Sequence, residues 1–519
     1  MTRRQHTVAA ALTGVVTAVV TLAVAEVVSL LLGGTGSPLL SVGALVIDVV
    51  PAGFKDLVIE LFDTADKLVL FLVLALLVLA LAVAVGILQV RRSPWGIVVL
   101  AAVAAISVVA AVTRAEATAF SAAPTVVGTV VGVLILRALV SRLENWRASA
   151  PGPSRGGAAG RPQYERRAFL LLALSAGVTA AVVGAGARML GAAATAVRDL
   201  RAALTLPTPA STGAEITADS TLDVTGLTPF VTPNADFYRI DTALQVPSID
   251  PTQWSLRVTG MVENEFELTW DQLTALPLDE RLITLSCVSN EVGGTLVGNA
   301  LWLGYPIREL LARARPTAGA DMVLSRSQDG FTAGTPLEVL QDDATDALLA
   351  IGMNGEPLPL EHGFPARMVV PGLYGYVSAT KWVTELKVTT FAADEAYWTP
   401  RGWSARGPIK LSSRIDVPRR GELAKAGTVA VAGVAWAPHT GIAAVDVRVD
   451  GGQWQSATLA KPVTVDSWLQ WSFAWAAEPG NHEIQVRATD TAGLMQTSTE
   501  APPAPDGSSG LHMITVRVE

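Results

Sequence analysis

The stretch ITLSCVSNEVGGTLVGNALWLGYPIRELL, residues 283–311, contains Cys287, the only cysteine among 519 residues. A lone thiol cannot form an intramolecular disulfide, so Cys287 is a buried small hydrophobic residue, a nucleophile or a ligand for a soft metal. Residues 283–285 have the composition of a buried strand. The residues that favour loops come directly after it: Ser286, Ser289, Asn290, Gly293 and Gly294. The thiol is therefore predicted where a strand gives way to an irregular loop, a place where functional residues concentrate.

Two segments resemble the sulfite oxidase family of molybdopterin enzymes. In that family a Cys-x-x-Asn loop supplies a thiolate to molybdenum and a Trp-x-Gly element follows. These correspond to Cys287-Val-Ser-Asn290 and Trp302-Leu-Gly304. The segment MNGEPLPLEHGFPARMVVPGLYGYVSATKW, residues 353–382, is similar to the family's pterin-binding stretch almost throughout. The resemblance extends over residues 228–518 and does not include the N-terminal part of the chain.

The resemblance implies a cofactor and the residues that hold it. It implies molybdenum bound to molybdopterin, with Cys287 as both the metal ligand and the catalytic residue. The pterin ends in a phosphate dianion, to which arginine offers a two-pronged set of donors. One departure is that residues 371–381 are one residue longer than in animal sulfite oxidases. The positions that match the family's cofactor contacts are Tyr238, Arg239, Asp329, His362, Arg367, Thr380 and Lys381.

The same resemblance predicts that sulfite is a poor substrate. The sulfite oxidases hold this dianion beside molybdenum with two arginines and a tyrosine, and the matching positions here are Asp241, Val292 and Ile351. The pocket therefore lacks positive charge, and Asp241 or the nearby Glu291 would repel an anion. A neutral molecule such as a sulfoxide or an N-oxide, or a larger molecule, is the expected substrate class.

The composition divides the chain into an apolar half and an acidic half. Hydrophobic residues make up 50% of the sequence and the mean hydropathy is +0.41, which is too apolar for a purely soluble chain. Residues 1–199 carry 16 Lys and Arg against 10 Asp and Glu (net +6), and residues 200–519 carry 22 against 36 (net -14). The acidic half argues against nucleic acid as a partner. One cysteine excludes disulfides, attached c-type haem and iron–sulfur clusters, and no histidine lies in a predicted span to ligate haem.

Several N-terminal runs are long and apolar enough to cross a bilayer, which takes about 20 residues. Four are clear, and a fifth, after residue 167, is weaker. Residues 39–62 lie between the first two and are interrupted by charged residues and Pro51, which indicates an amphipathic or re-entrant segment. Glu26, inside the first run, is either functional or faces another helix. The four clear runs are residues 8–32, 68–90, 95–112 and 122–139.

The arginine distribution predicts the orientation of these spans. Loops rich in Lys and Arg stay cytoplasmic, and the arginines at positions 3–4, 91–92 and 137–167 fall on one side if there are five spans. The residues after 190 are then extracytoplasmic. The chain is predicted to be a multi-pass protein of the cell membrane, with the lipid bilayer as one of its partners. The sequence from Arg166-Arg167 also resembles a twin-arginine export signal. The alternative is a pair of positive-inside arginines beside an ordinary helix.

These patterns predict a multi-domain fold. It comprises an N-terminal α-helical membrane anchor, an α+β molybdopterin-binding domain of sulfite oxidase type and a C-terminal immunoglobulin-like β-sandwich. The sandwich is indicated by short alternating strands after residue 427, and it resembles the family's dimerisation domain. The predicted segments are an anchor with about four transmembrane helices (1–147), a cytoplasmic linker (148–167), a fifth, twin-arginine-like transmembrane helix (168–191), an extracytoplasmic arm (192–227), the molybdopterin-binding domain (228–416) and the dimerisation-type domain (417–519).

Three functions fit the sequence. The leading one is a membrane-anchored molybdopterin-dependent oxidoreductase that moves an oxygen atom and two electrons between metal and a small-molecule substrate, with an unidentified electron-transfer partner and a homodimer through the C-terminal domain. The second is a cofactor-free, membrane-tethered binding or adhesion protein. The third is a cysteine hydrolase, which needs a base near the thiol, and His362 is the one histidine between Cys287 and His439. For the membrane half, an anchor is favoured over a transporter.

Overall fold

The computed structural model divides the chain into two compact units, Met1–Thr195 and Ala196–Glu519. It describes residues 2–32, 36–49, 66–113, 117, 120–148, 167, 169–171, 173–174, 178, 192–243 and 246–519. Three predicted segments lie wholly or mostly outside the described residues: residues 149–166 of the linker, which include Arg166, most of the fifth apolar run, and the second half of the amphipathic segment.

The first unit consists of helices. Four of them, among the described residues, are long and apolar enough to cross a membrane: Arg3–Leu31, Leu72–Arg91, Trp95–Val112 and Ala123–Ala148. They coincide with the four clear apolar runs of the sequence, and the last extends nine residues beyond the predicted end at residue 139. The helices are α1 (Arg3–Leu31), α2 (Pro38–Val49), α3 (Asp66–Arg91), α4 (Trp95–Val112) and α5 (Ala123–Ala148).

Small residues let helix α1 approach helices α3 and α5 closely. A Cβ added at Gly14 would overlap the carbonyl oxygen of Ala82, and one added at Gly132 would overlap the hydroxyl of Thr21. Such close approach increases the van der Waals contact between the helices. Glu26 accepts a hydrogen bond of 2.6 Å from the Ser37 hydroxyl. This carboxylate, for which the sequence alone indicated no partner, therefore has one inside the unit.

The second unit begins with an α+β region built on two sheets. The first sheet has the order β2-β1-β10-β5-β6, in which β1 and β10 run parallel, and the second has the antiparallel order β3-β4-β7-β8 with β9 beside β7. The strands are β1 (Ser255–Gly260), β2 (Phe266–Thr269), β3 (Asp279–Ser286), β4 (Val297–Pro306), β5 (Met322–Ser327), β6 (Thr332–Pro336), β7 (Leu348–Met353), β8 (Glu356–Pro357), β9 (Arg367–Val369) and β10 (Val383–Thr389). The helices are α6 (Ala192–Ala203), α7 (Trp270–Thr274), α8 (Ile307–Ala314), α9 (Leu337–Gln341) and α10 (Gly375–Ser378).

One apolar core joins the two sheets. Helix α8 buries Ile307, Leu310 and Leu311, the spacing of a helix with one apolar face. These side chains pack in the same core as Leu256 of β1 and Ile351 of β7. The core therefore fixes β3, β4 and β7 relative to the rest of the region, and with them the loops that follow these strands.

The C-terminal region is rich in β-structure, as predicted. One sheet has the order β11-β13-β17-β16 and the other β12-β19-β18-β14-β15, and side chains such as Val431, Trp471 and Val486 form a common core. The strands are β11 (Ser412–Val417), β12 (Leu423–Ala424), β13 (Gly427–Trp436), β14 (Ile442–Val449), β15 (Gln455–Ser456), β16 (Thr458–Leu459), β17 (Leu469–Ala477), β18 (Gly480–Asp490) and β19 (Met513–Val518).

The β-rich region packs directly on the α+β region. A small apolar cluster joins Leu282 and Val297, on strands β3 and β4, to Trp436 and Trp468. Residues 204–227 run along both regions. They form no helix or strand apart from a short turn at Ala218–Ser220. Their backbone bonds both, because Ala210 N–H donates to Leu278 O (2.7 Å) and Leu222 N–H donates to Gln470 Oε1 (2.8 Å).

Candidate active site

The cysteine loop begins where strand β3 ends. Cys287 is the first residue after β3, and its N–H donates to Leu296 O at 2.9 Å, which closes the loop at its base. The Asn290 side chain accepts from Leu296 N–H at 2.8 Å, and Asn290 N–H donates to Cys287 O at 3.1 Å. The Cys-x-x-Asn spacing therefore has a local cause, since the amide of Asn290 holds together the loop that presents the thiol.

A cavity of about 110 Å³ brings Cys287 together with Tyr238 and Arg367. The thiol residue is 8% exposed. Half of the ten other lining residues are aromatic, and they come from several segments of the chain: Phe237, Phe331, Tyr376, Trp398 and Trp403. Sequence reasoning gave these five residues no role in the site. The one available signal was the pair of tryptophans in WTPRGW, residues 398–403, on a short segment.

The surroundings of Cys287 disfavour its ionised form. Burial raises the pKa of the thiol, while hydrogen bonds from the backbone and hydroxyl of Ser289 and the backbone of Val288 act in the opposite direction. Burial, and the proximity of Cys287, also raise the pKa of Tyr238. A bound metal cation reverses this balance and stabilises a thiolate. The donors of Ser289 are then placed to bond the sulfur.

Arg367 is a buried cation on strand β9. It is 5% exposed, and it donates to the backbone carbonyls of His362 (3.1 Å), Met368 (3.3 Å) and Ala379 (3.5 Å). Its guanidinium lies 5.0 Å from the ring of Trp302, the tryptophan of the Trp-x-Gly element. Burial lowers the pKa of Arg367 to about 10, so it stays charged near neutral pH.

No carboxylate among the described residues lies within ion-pair distance of Arg367. A buried charge is normally paired, because desolvation of an unpaired ion is costly. An anionic or strongly polar ligand beside Cys287 would supply the missing partner. The residues present therefore fit a pterin cofactor with a phosphate group.

His362 lies behind this cavity in a neutral form. Burial, with the charges of Arg367 and Lys381, lowers its pKa to about 3. Its Nε2 lies 3.2 Å from Asn234 O, and since a carbonyl only accepts, Nε2 carries the proton. The ring stands edge-on to Phe237 at 5.6 Å. Nδ1 is therefore the ring's hydrogen-bond acceptor.

The remaining predicted cofactor residues lie outside the cavity wall. Lys381 donates to Asp241 Oδ2 and to Glu361 O, both at 3.0 Å, and Arg239 donates to the same carboxylate oxygen at 3.0 Å. Burial lowers the pKa of Lys381 to about 8, against the attraction of Asp241. Asp329 accepts a hydrogen bond of 3.3 Å from the hydroxyl of Thr242, the residue after Asp241. Thr380 is fully buried and its hydroxyl bonds Ser325 at 2.7 Å.

The three positions aligned with the sulfite-binding residues do not meet beside Cys287. Ile240, rather than Asp241, lines the cavity with the thiol. Val292 lines a separate cavity of about 330 Å³ between the cysteine loop and the β-rich region. Ile351 is fully buried in the core. None of these three positions brings a cation or a hydroxyl to the thiol. The cation and the hydroxyls that line the cavity come instead from other positions: Arg367, Tyr238, Ser289 and Tyr376.

The β-rich region supports two loops of the site. Gly293 in the cysteine loop has φ +80°, and a Cβ there would overlap the ring of His512. Gly372, in the loop before α10, has φ +79°, and a Cβ there would overlap the ring of His439. Both positions need glycine for conformation and for space. The Ser508 hydroxyl also donates to Asn290 O at 2.6 Å.

Comparisons with known proteins agree on one family. Residues 243–398 match the model of the oxidoreductase molybdopterin binding domain. The mitochondrial sulfite oxidase of Homo sapiens is 30% identical over 323 residues, which cover 53% of this chain and 58% of that protein. NADH nitrate reductase 2 of Nicotiana tabacum is 27% identical over 316 residues, which cover 47% and 34%. The chain thus spans less than two thirds of the length of these relatives.

A solved structure was also matched, the sulfane dehydrogenase SoxCD from Paracoccus pantotrophus. It has a TM-score of 0.48 and 23% identity, and the match covers 58% of this chain and 86% of that one. The matched domain range 243–398 contains Cys287, His362, Arg367 and Lys381, whereas Tyr238 and Arg239 precede it. The domain match, together with the sulfite oxidase and nitrate reductase relatives, supports a molybdopterin oxidoreductase of the sulfite oxidase type.

Proposed function

We propose that this protein is a membrane-anchored molybdenum oxidoreductase that transfers an oxygen atom, and two electrons with it, to or from a small neutral substrate. The observation that carries the proposal is the meeting of Cys287 and Arg367 in one cavity. Cys287 offers a soft ligand for molybdenum, and Arg367 offers a buried positive charge whose hydrogen bonds within the described part of the chain go to carbonyls. A cofactor that carries both a soft metal and a phosphate satisfies both groups.

The residues have distinct roles in this proposal. Cys287 provides the thiolate ligand, and the donors of Ser289 stabilise its sulfur. Arg367 and Lys381 bind the anionic part of the cofactor, and neutral His362 offers Nδ1 to a donor on it. Bound Mo-molybdopterin supplies the redox and oxygen-transfer chemistry, while the chain binds and orients it. No haem or iron–sulfur cluster is proposed, and electrons leave to or arrive from a separate partner.

The cavity wall supports a neutral substrate. Arg367 is the one charged side chain among the described residues that line it, and the cofactor occupies that charge. Phe331, Trp398 and Trp403 complete a wall that offers apolar surface and few donors. A dianion would lose its hydration there without gaining ionic partners. A sulfoxide or an N-oxide keeps one polar oxygen and buries its apolar part.

The geometry weighs against a cysteine hydrolase. Such an enzyme needs a general base within hydrogen-bond reach of the thiol. His362 is absent from the described residues that line the Cys287 cavity, its Nε2 is bonded to Asn234, and its pKa of about 3 leaves it a weak base. The raised pKa of Cys287 also leaves the thiol weakly nucleophilic.

The proposal predicts one molybdenum per chain in protein purified from a host that makes molybdopterin. Elemental analysis gives the metal, and fluorescence of the released, oxidised pterin gives the cofactor. Arg367→Gln should lower both, because it removes the buried cation. Arg326→Gln serves as the control, since Arg326 is a half-exposed arginine paired with Glu385 in the same region. Wild-type protein that folds in this host and contains neither molybdenum nor pterin would refute the proposal.

We further propose that residues 192–519 lie outside the cytoplasm, held by five membrane spans, and that the C-terminal region is an immunoglobulin-like dimerisation domain. The arginine-rich loops support this orientation. An alkaline phosphatase fused after Glu519 should be active and one fused at Ser149 inactive, with a cytoplasm-active reporter giving the reverse pattern.

Replacing Arg166 and Arg167 by lysine should block export. Active phosphatase at Ser149 would overturn the five-span arrangement, and unaffected export would overturn the twin-arginine route.

A further inference from the structure

Residues 238–241, which precede strand β1, contact the Cys287 cavity with one set of side chains and Lys381 with the other. Tyr238 and Ile240 line the cavity that contains Cys287. Arg239 and Asp241, which alternate with them, instead join Lys381 through Asp241 Oδ2. The segment therefore links the cavity wall to a group of charges in which Asp241 and Lys381 are buried and Arg239 is partly exposed.

The carboxylate of Asp241 is the centre of this group. Its side chain is 4% exposed, and the same oxygen accepts from Arg239 Nε and Lys381 Nζ at 3.0 Å each. The Lys381 side chain is 10% exposed, and Glu361 O accepts a second of its hydrogen bonds at 3.0 Å. Charges this deeply buried are held in one geometry, because each would be costly to leave without the other.

Other charges near Lys381 oppose its protonation. Burial lowers the pKa of Lys381, and the positive charges of Arg367 and Arg239 lower it further, whereas Asp241 raises it both through its charge and through its hydrogen bond. With all of these acting, the pKa is about 8. Removal of the Asp241 charge would therefore favour an uncharged Lys381 near neutral pH, or a side chain that leaves its buried position.

The charge balance matches the ligand proposed for this site. Arg239, Arg367 and Lys381 contribute three positive charges, Asp241 contributes one negative charge, and His362 is neutral, which leaves +2. A phosphate monoester carries about -1.5 to -2 near pH 7. The cluster is thus close to neutral with one phosphate bound.

From this geometry we infer that Asp241 is a positioning residue, which holds the Lys381 ammonium in place for the phosphate of the cofactor. The inference rests on the proposed function for the identity of the ligand. The ion pair itself can be tested without the cofactor.

The first test measures Lys381 in full-length protein made in a host that lacks molybdopterin. The detergent-solubilised protein is treated with acetic anhydride at pH 7, and acetylation of the peptide containing Lys381 is followed by mass spectrometry. In Asp241→Asn the rate should rise at least about five-fold, which corresponds to a fall of one unit from a pKa of about 8. Asp236→Asn is the matched control, because Asp236 is an exposed carboxylate on the same segment, and it should label like wild type.

The second test uses protein from a molybdopterin-producing host. Asp241→Asn removes the carboxylate that holds the Lys381 ammonium, so this variant should retain less molybdenum and pterin after dialysis than wild type or Asp236→Asn. Asp241→Glu keeps the charge and should restore both readouts in part. If Asp241→Asn does not fold, Asp241→Glu tests the ion pair instead. Its carboxylate is displaced by one methylene, so acetylation of Lys381 should be faster than in wild type.

Wild-type labelling of Lys381 in both Asp241 variants would overturn the ion pair, and wild-type retention of cofactor in Asp241→Asn would overturn the positioning role. Absence of molybdenum from wild-type protein refutes the proposed function instead, and it leaves the labelling result to decide whether Asp241 holds Lys381.

Discussion

Replacement of Cys287 by serine should lower molybdenum-dependent turnover by more than about 100-fold. Loss of a residue that only hydrogen-bonds a metal ligand typically costs about 10- to 100-fold, and loss of the ligand itself should cost more. Serine has nearly the same shape, so the loop closed by Asn290 and Leu296 should keep its structure. Its oxygen is a harder and poorer ligand for molybdenum than a thiolate. Turnover is measured with an artificial electron acceptor or donor and is expressed per protein chain.

Two measurements accompany this substitution. Circular dichroism and thermal unfolding should match the wild type, which separates loss of the ligand from loss of the fold. Ser286→Ala is the neighbouring control, since it removes a buried hydroxyl whose bond to Cys287 O is 3.3 Å, without touching the thiol. Full activity in Cys287→Ser would show that the sulfur does not bind the metal.

Sulfite should be turned over with a catalytic efficiency several orders of magnitude below that of dedicated sulfite oxidases. Each lost charge-assisted hydrogen bond costs about 1.5 to 3 kcal/mol, so the loss of two or three corresponds to about 10²- to 10⁶-fold. Beside Cys287 the described wall presents Ile240 and aromatic rings, with Arg367 as its one cation. A dianion therefore finds no arginine pair there. The hydroxyls of the wall belong to Tyr238, Tyr376 and Ser289, and that of Tyr376 already donates to Ser404 O.

The sulfite prediction is checked by steady-state kinetics with sulfite and an artificial acceptor on molybdenum-loaded protein. A neutral sulfoxide and an N-oxide, assayed with a reduced dye, should give the higher efficiency. Cys287→Ser measures the background of each assay. Efficiency with sulfite equal to that of dedicated sulfite oxidases would mean that the pocket binds the anion through groups other than those described.

The sequence predicted best those features that depend on neighbouring residues. The strand before Cys287 is one of them, because residues 283–285 have the composition of a buried strand and lie in β3 (Asp279–Ser286). Four apolar helices were likewise predictable, because hydropathy alone marks them. The predicted roles of the cofactor residues remain predictions, although Tyr238, Cys287 and Arg367 do share one cavity.

Features that depend on distant residues were not predictable from local pattern. Asp241 and Lys381 form their ion pair across 140 positions of sequence, and the alignment treated Asp241 as a pocket residue when its neighbour Ile240 lines the pocket. Phe331 and Trp403 reach the cavity on segments whose local pattern indicates only turns. Which of two adjacent side chains faces a site depends on the tertiary fold, and a single sequence does not contain that information explicitly.

The contact between His512 and Gly293 has a consequence for biosynthesis. His512 follows Cys287 by 225 positions (512 minus 287). At about 5 to 20 residues per second, a ribosome needs about 10 to 45 s to add that length of chain. The cysteine loop thus emerges long before the imidazole that packs against it has been made. Any binding that requires the fully supported loop is therefore a post-translational event, and a truncated or stalled chain would expose Cys287 in a loop without this support.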